Sequence, residues 1–252
     1  MKSSSKTAPL RTSLFVAGGT IYTIGFDFTS QSQKTILQYL QANGYSLFGY
    51  KGATGPNQVS AGLPTWFKVP YGGVFGSVEI DYEPLYKVYV FNQATIGANT
   101  TIKMQAMSME FPLGTALQFN PDGSFSQIGA APAGMITVQN TRPAGTANVT
   151  IGLAAKVNGA YQPFCAFTCT PQGSVSMAPN EKVCLFAAQT NLQSGSVVGN
   201  MTAPGCTFEF NSGNVNYNLQ MIDSTYGIES APGGLPVTAV SSGASLAQLL
   251  NS

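Results

Sequence analysis

The sequence predicts an all-β fold: two tandem, related β-sandwich-like units arising by internal duplication, with one or two short helices. Three observations carry that prediction. Polar and apolar residues alternate over short runs. Glycine and proline, 28 and 15 of 252 residues, punctuate the chain every few positions. Four short motifs also recur in the same order in both halves. Frequent turn signals between short alternating runs are the pattern of sandwiches.

The strands come first. Glu79-Ile80-Asp81-Tyr82 and Lys87-Val88-Tyr89-Val90 alternate as half-buried strands do. Thr207-Phe208-Glu209-Phe210 and Asn214 to Leu219 alternate on either side of a Ser-Gly pair, which predicts a hairpin. Pro121-Asp122-Gly123 plays the same turn role in the first half. A helix is predicted from Gln33 to Ala42, where Ile36, Leu37 and Leu40 share a face and Gly44 can end it. A second short helix is expected over Leu246 to Leu250.

The recurring motifs organise these elements. Asn43-Gly44-Tyr45 with Phe48 is echoed by Asn158-Gly159 with Tyr161 and Phe164. Gly76-Ser77-Val78 returns as Gly173-Ser174-Val175, and Lys87 to Phe91 returns as Lys182 to Phe186. Phe119-Asn120 before its turn matches Phe210-Asn211 before Ser212-Gly213. The Ala/Gly/Pro-rich stretch Gly129 to Gly134 is the natural seam, giving units at 1–130 and 131–252.

Composition narrows the chemistry. Lys and Arg number 11, Asp and Glu 10, and histidine is absent, so only 8% of residues are charged. An ordinary soluble domain carries about 25%. Surfaces are therefore expected to consist of hydroxyls, amides and backbone. The lack of histidine excludes Ser-His-Asp and Cys-His catalysis and His-bearing metal sites. No GxSxG, phosphate-binding or dinucleotide motif is present, and an enzyme is not expected. Lys2, Lys6 and Arg11 are too few for a nucleic-acid interface. Near-zero net charge offers little protection against self-association, so a homo-oligomer is expected. No stretch reads as a membrane-spanning helix or a leader, and the chain is expected to be soluble, with release to act outside the cell left open by the sequence.

Cys165, Cys169, Cys184 and Cys206 read best as small buried hydrophobes, with a Cys184–Cys206 bridge as the alternative. Glu79, Asp81 and Glu83 alternate along one strand, so all three carboxylates are expected on one face. They are the weak Ca²⁺ candidate, against the plainer reading of a charged strand that resists edge pairing. No other cofactor is expected. Pro64 to Gly73 holds the only tryptophan, and Trp66, Phe67 and Tyr71 on a loop or edge strand are the candidate ligand-binding residues. The plainer reading places Trp66 in the core. Ile136 to Val157, with Val138, Val149, Ile151 and Leu153 among Thr, Asn and Ala, is a weak candidate for strands that could cross a bilayer. Asn99, Asn148 and Asn200 each begin an N-x-T sequon.

These features favour a non-enzymatic cell-surface recognition protein that binds glycan or lipid, with a membrane-acting, pore-forming toxin as its extreme form. The alternative is a self-assembling structural protein that forms an inclusion, coat or fibre.

Overall fold

The computed structural model describes residues 19–251, so the basic group Lys2, Lys6 and Arg11 lies outside the described residues. The first half runs β1 (Tyr22–Asp27), α1 (Gln31–Ala42), β2 (Ser46–Thr54), β3 (Leu63–Pro64), β4 (Phe67–Pro70), β5 (Ser77–Phe91), β6 (Ala106–Glu110), β7 (Thr115–Phe119) and β8 (Phe125–Ala130). The second half continues with β9 (Ile136–Asn140), β10 (Val149–Val157), β11 (Ala160–Pro163), β12 (Phe167–Cys169) and β13 (Ser174–Ala188). It ends with β14 (Val197–Val198), β15 (Gly205–Glu209), β16 (Asn216–Met221), β17 (Ile228–Ser230), β18 (Thr238–Val240) and α2 (Leu246–Leu250). The fold is all-β, and both expected helices are present. Ser30 caps α1 through its hydroxyl, and Gly44 beyond its end takes φ +66°, the left-handed conformation that glycine tolerates best.

Two eight-stranded sheets hold most of the strands. Sheet A orders β11-β10-β5-β1-β16-β17, with β12 also on β10 and β6 also on β5. Sheet B orders β18-β15-β13-β9-β7-β8, with β2 on β13 and β4 on β2. Strands β3 and β14 form a small third ladder. Ladders cross the 130/131 seam in both sheets, since β5 pairs with β10 and β13 pairs with β2. The halves are interleaved: each sheet is assembled from both.

One pairing scheme serves both sheets. The 15-residue strand β5 is flanked by β1 along its first half, β6 along its second and β10 on the other side. The 15-residue strand β13 is flanked in the same way by β9, β15 and β2. β1 pairs parallel with β16, which pairs antiparallel with β17; β9 pairs parallel with β7, which pairs antiparallel with β8. Two of the four sequence echoes fall on the matching strands β5 and β13. The other two fall on elements that do not correspond in this scheme.

The hairpin predicted at Ser212-Gly213 does not form. β15 belongs to sheet B and β16 to sheet A, and the turn passes the chain from one sheet to the other. Tyr217 holds the crossing by donating its hydroxyl to the Glu209 carbonyl at 2.9 Å. The turn at Pro121-Asp122-Gly123 does join a true hairpin, β7 with β8.

The inner faces of the sheets share one core, with Ile24, Ile80, Leu117, Ile151, Leu185 and Leu219 among its buried residues. Each central strand also buries its outer face. Phe48, Tyr50 and Phe186 lie under α2 outside sheet B, and Tyr89, Phe91 and Ala154 lie under loops outside sheet A. Two-sided burial explains why β10, inside the stretch considered for bilayer crossing, alternates poorly: eight of its nine residues are buried. No described helix is long and apolar enough to cross a membrane.

Candidate functional site

Trp66, Phe67 and Tyr71 are core residues, which corrects their assignment to a ligand-binding loop. Trp66 and Tyr71 have no exposed surface, and Phe67 is 4% exposed. The prolines do mark edge strands, β3 and β4, but those strands fold inward over the sandwich. Trp66 packs edge-on against Tyr82 with ring centroids 4.9 Å apart. Phe67 fills the space above Gly49, where any Cβ would overlap its ring. Tyr71 donates its hydroxyl to the Met221 sulfur at 3.5 Å and meets Phe28 edge-on. The glycine in Phe48-Gly49-Tyr50 was the available signal, because a strand glycine often marks close approach by a neighbour. Phe75, just beyond the stretch singled out, does face solvent, at 90% exposure.

Glu79, Asp81 and Glu83 are not brought together as ligands. No described group of three acidic, cysteine or histidine side chains is placed to hold a metal ion. Glu79 and Asp81 are exposed on β5; Thr23 donates to Asp81, and Glu83 pairs with Lys156 at 2.9 Å. All four cysteines are free thiols and buried, as the hydrophobe reading expects. Burial pushes the Cys165 and Cys184 thiols up to about 12, so they are poor nucleophiles.

The densest polar cluster lies between the sheets. Lys51 of β2 has no exposed side-chain surface and donates to Glu181 Oε2 at 2.8 Å and to the Asn180 carbonyl. Tyr82 and Tyr86 of the facing sheet donate to Glu181 Oε1 at 3.1 and 2.8 Å. Desolvation pulls the Lys51 pKa below its ordinary value, partly offset by the Glu181 charge. A cavity of about 480 Å³, walled by Leu85, Phe111 and Leu113, opens onto Glu181 and Tyr86. The other long strand has a counterpart to this pair. Both β5 and β13 shift register at mid-strand, near Pro84 and Pro179, and a lysine of the neighbouring strand faces each irregularity and pairs with its glutamate: Lys156 with Glu83, Lys51 with Glu181. A pair repeated at both bulges reads as a device that holds the bulges.

A second recess lies elsewhere, between two loops. The long connections that follow β5 and β13 meet outside the sandwich. Asn99 and Ile102 donate backbone N–H groups to Val197 and Gly195, Val197 donates to Thr100, and the Thr101 and Ser196 hydroxyls lie 3.2 Å apart. Between these loops lies a pocket of about 560 Å³ lined by Asn99, Thr101, Lys103, Asn191, Gln193 and Thr202, with Leu192 and Val198 as apolar patches. Asn99, Lys103, Asn191, Gln193 and Thr202 are exposed, and Lys103 forms no ion pair among the described residues. Asn99 itself takes φ +63°, a conformation asparagine tolerates better than most residues. Asn99 is legible in the sequence only as a sequon and the pocket is not legible there, because its two walls lie about 90 residues apart.

Comparison with protein families, curated proteins and solved structures finds no match.

Proposed function

We propose that this is a non-enzymatic recognition protein that binds a glycan in the pocket between the 97–103 and 190–202 loops. One observation carries the reading: a pocket of about 560 Å³ that sets side-chain amides and hydroxyls, with Lys103, around a mainly apolar surface. That volume falls within the roughly 300–1,000 Å³ range of small-ligand sites. Amides and hydroxyls can both donate and accept, which suits the hydroxyls of a sugar, and Leu192 and Val198 suit its C–H face. The position also fits, since loops held on a rigid β scaffold commonly carry recognition.

A glycan panel followed by titration calorimetry tests this. The wild type should bind a saccharide, and Asn191→Ala and Gln193→Ala should each weaken binding about 5–30-fold, as expected for a lost hydrogen bond of about 1–2 kcal/mol. Thermal stability should stay unchanged, because both side chains are exposed. With no histidine in the chain, affinity should stay flat between pH ~5 and ~8. Absence of binding across the panel, or variants that bind as the wild type does, would reject the reading. Lipid binding and pore formation lose their aromatic support with Trp66, Phe67 and Tyr71 in the core; vesicle association that depends on Phe75 would revive them. Self-association is a second reading, favoured by one edge strand of sheet B.

A further inference from the structure

We propose that β8 is a self-association edge, and that two copies of the chain pair through it antiparallel about a two-fold axis at Ser126. Sheet B ends at β8, so one side of this six-residue strand has no partner among the described residues. Five of its six residues are exposed, including Ile128 at 49%. An open edge is normally protected by shortness, charge, proline or cover. β17, which holds the matching position in sheet A, is protected: it has three residues, and one of them is Glu229, which accepts from Gln220 at 2.8 Å. β8 carries no such charge. From Gly123 to Thr141 the sequence holds no charged residue.

The hydrogen-bond phase shows which groups are free. Asn120 donates its N–H to the Ser124 carbonyl, and antiparallel pairs alternate, so Ser126 exchanges hydrogen bonds with Gln118. Phe125 and Gln127 therefore turn N–H and C=O outward. The register shifts at Ile128, and this bulge limits regular pairing to Phe125–Gln127. Three residues are enough for a self-complementary contact. With the two-fold axis at Ser126, Phe125 of each copy faces Gln127 of the other, which satisfies four hydrogen bonds.

The occupant follows from charge and symmetry. A second copy brings a strand with the same free phase, no charge to repel, and a net charge of only +1 on the whole chain. Such an isologous contact closes on itself and gives a dimer rather than a fibre. Its area is small, so the dimer should be weak, with a dissociation constant on the order of 10 µM or above.

Sedimentation velocity from micromolar to near-millimolar concentration tests the proposal. The wild-type mass should rise toward twice that of one chain. Ser126→Lys places like charges face to face at the axis, and Gln127→Pro removes an outward N–H that β7 does not use; both should stay monomeric with the wild-type circular dichroism spectrum. Ser126→Cys should oxidise to a disulfide-linked dimer, because non-hydrogen-bonded antiparallel partners lie about 4.5 Å apart at Cα, within disulfide reach. The four native thiols are buried and should not compete. A wild type of one mass throughout, dimerisation unchanged in both charge and proline variants, or failure of Ser126→Cys to cross-link while the wild type dimerises would each overturn it.

Discussion

At the residue scale, the sharpest demand falls on Lys51. A fully buried ammonium is tolerated because Glu181 and the Asn180 carbonyl receive it and the Tyr82 ring lies 4.8 Å away. Removing one partner of such a pair leaves an uncompensated charge, so Lys51→Met should destabilise by about 3–5 kcal/mol in urea titrations. Adding Glu181→Gln should return a sizeable part of that loss, because the amide no longer needs a cation. If Lys51→Met alone were neutral, the pair would not be holding the bulge. The tyrosines around it set an alkaline limit. Burial holds Tyr82, Tyr86 and Tyr89 above the ordinary tyrosine value of 10.0, with the Glu181 charge adding to the first two. The folded state keeps protons that the unfolded chain releases, so this stabilisation is complete below pH 10.0 and falls as pH rises beyond it. Lys51 acts in the opposite sense, its lowered pKa adding stability up to the ordinary lysine value of 10.5. Three tyrosines outweigh one lysine, so the melting temperature should drop steeply above pH 10.0, and Tyr86→Phe should lessen the slope. A melting temperature independent of alkaline pH would contradict this.

At the element scale, the central strands depend on glycine where the sequence looks most ordinary. Gly49 of β2 lies under Phe67, and Gly152 of β10 lies against the Cys165 carbonyl and the Tyr89 ring. An alanine at either site meets atoms that cannot easily move, so Gly49→Ala and Gly152→Ala should each cost about 1–3 kcal/mol, read as a lower denaturation midpoint. Gly44→Ala has free space but a positive φ, and its smaller penalty would come from the backbone alone. This contrast bears on what the sequence could reveal. Strands such as Glu79 to Tyr82 were legible because one of their faces is wet. β2 and β10 were obscure because both faces are dry, so period-2 alternation disappears. The aromatic run at Trp66 leaves a core reading and a ligand-binding reading both open in the sequence for a related reason. Proline correctly marked an edge, but an edge strand of two to four residues can lie under other structure as easily as over it. Helix α1 was legible almost to its ends, since its cap and its apolar face are both local features.

At the scale of the whole molecule, one pairing scheme serves both sheets, and the halves join differently from a tandem array. Sequence similarity reports which segments resemble one another and says nothing of which segments pair. Here the long strand of each half pairs on one side with a strand of the other half, and the parallel contacts β1–β16 and β7–β9 cross the seam as well. The pocket inherits this arrangement, with one wall from each half, so neither half alone could form it. The consequence can be measured by dividing the chain after residue 130. Independent sandwiches would each fold and melt cooperatively. Interleaved halves lose every cross-seam ladder and open the shared core, leaving β5 and β13 each bare on the side where β10 and β2 pair. Each fragment should therefore be unfolded or aggregated alone, and mixing them during refolding should restore strand content, a single unfolding transition and glycan binding together. A fragment that melts cooperatively alone would show that the cross-seam ladders are dispensable to folding. Recovery of the fold without binding would separate the scaffold from the pocket, and the loops 97–103 and 190–202 would then need a role other than recognition.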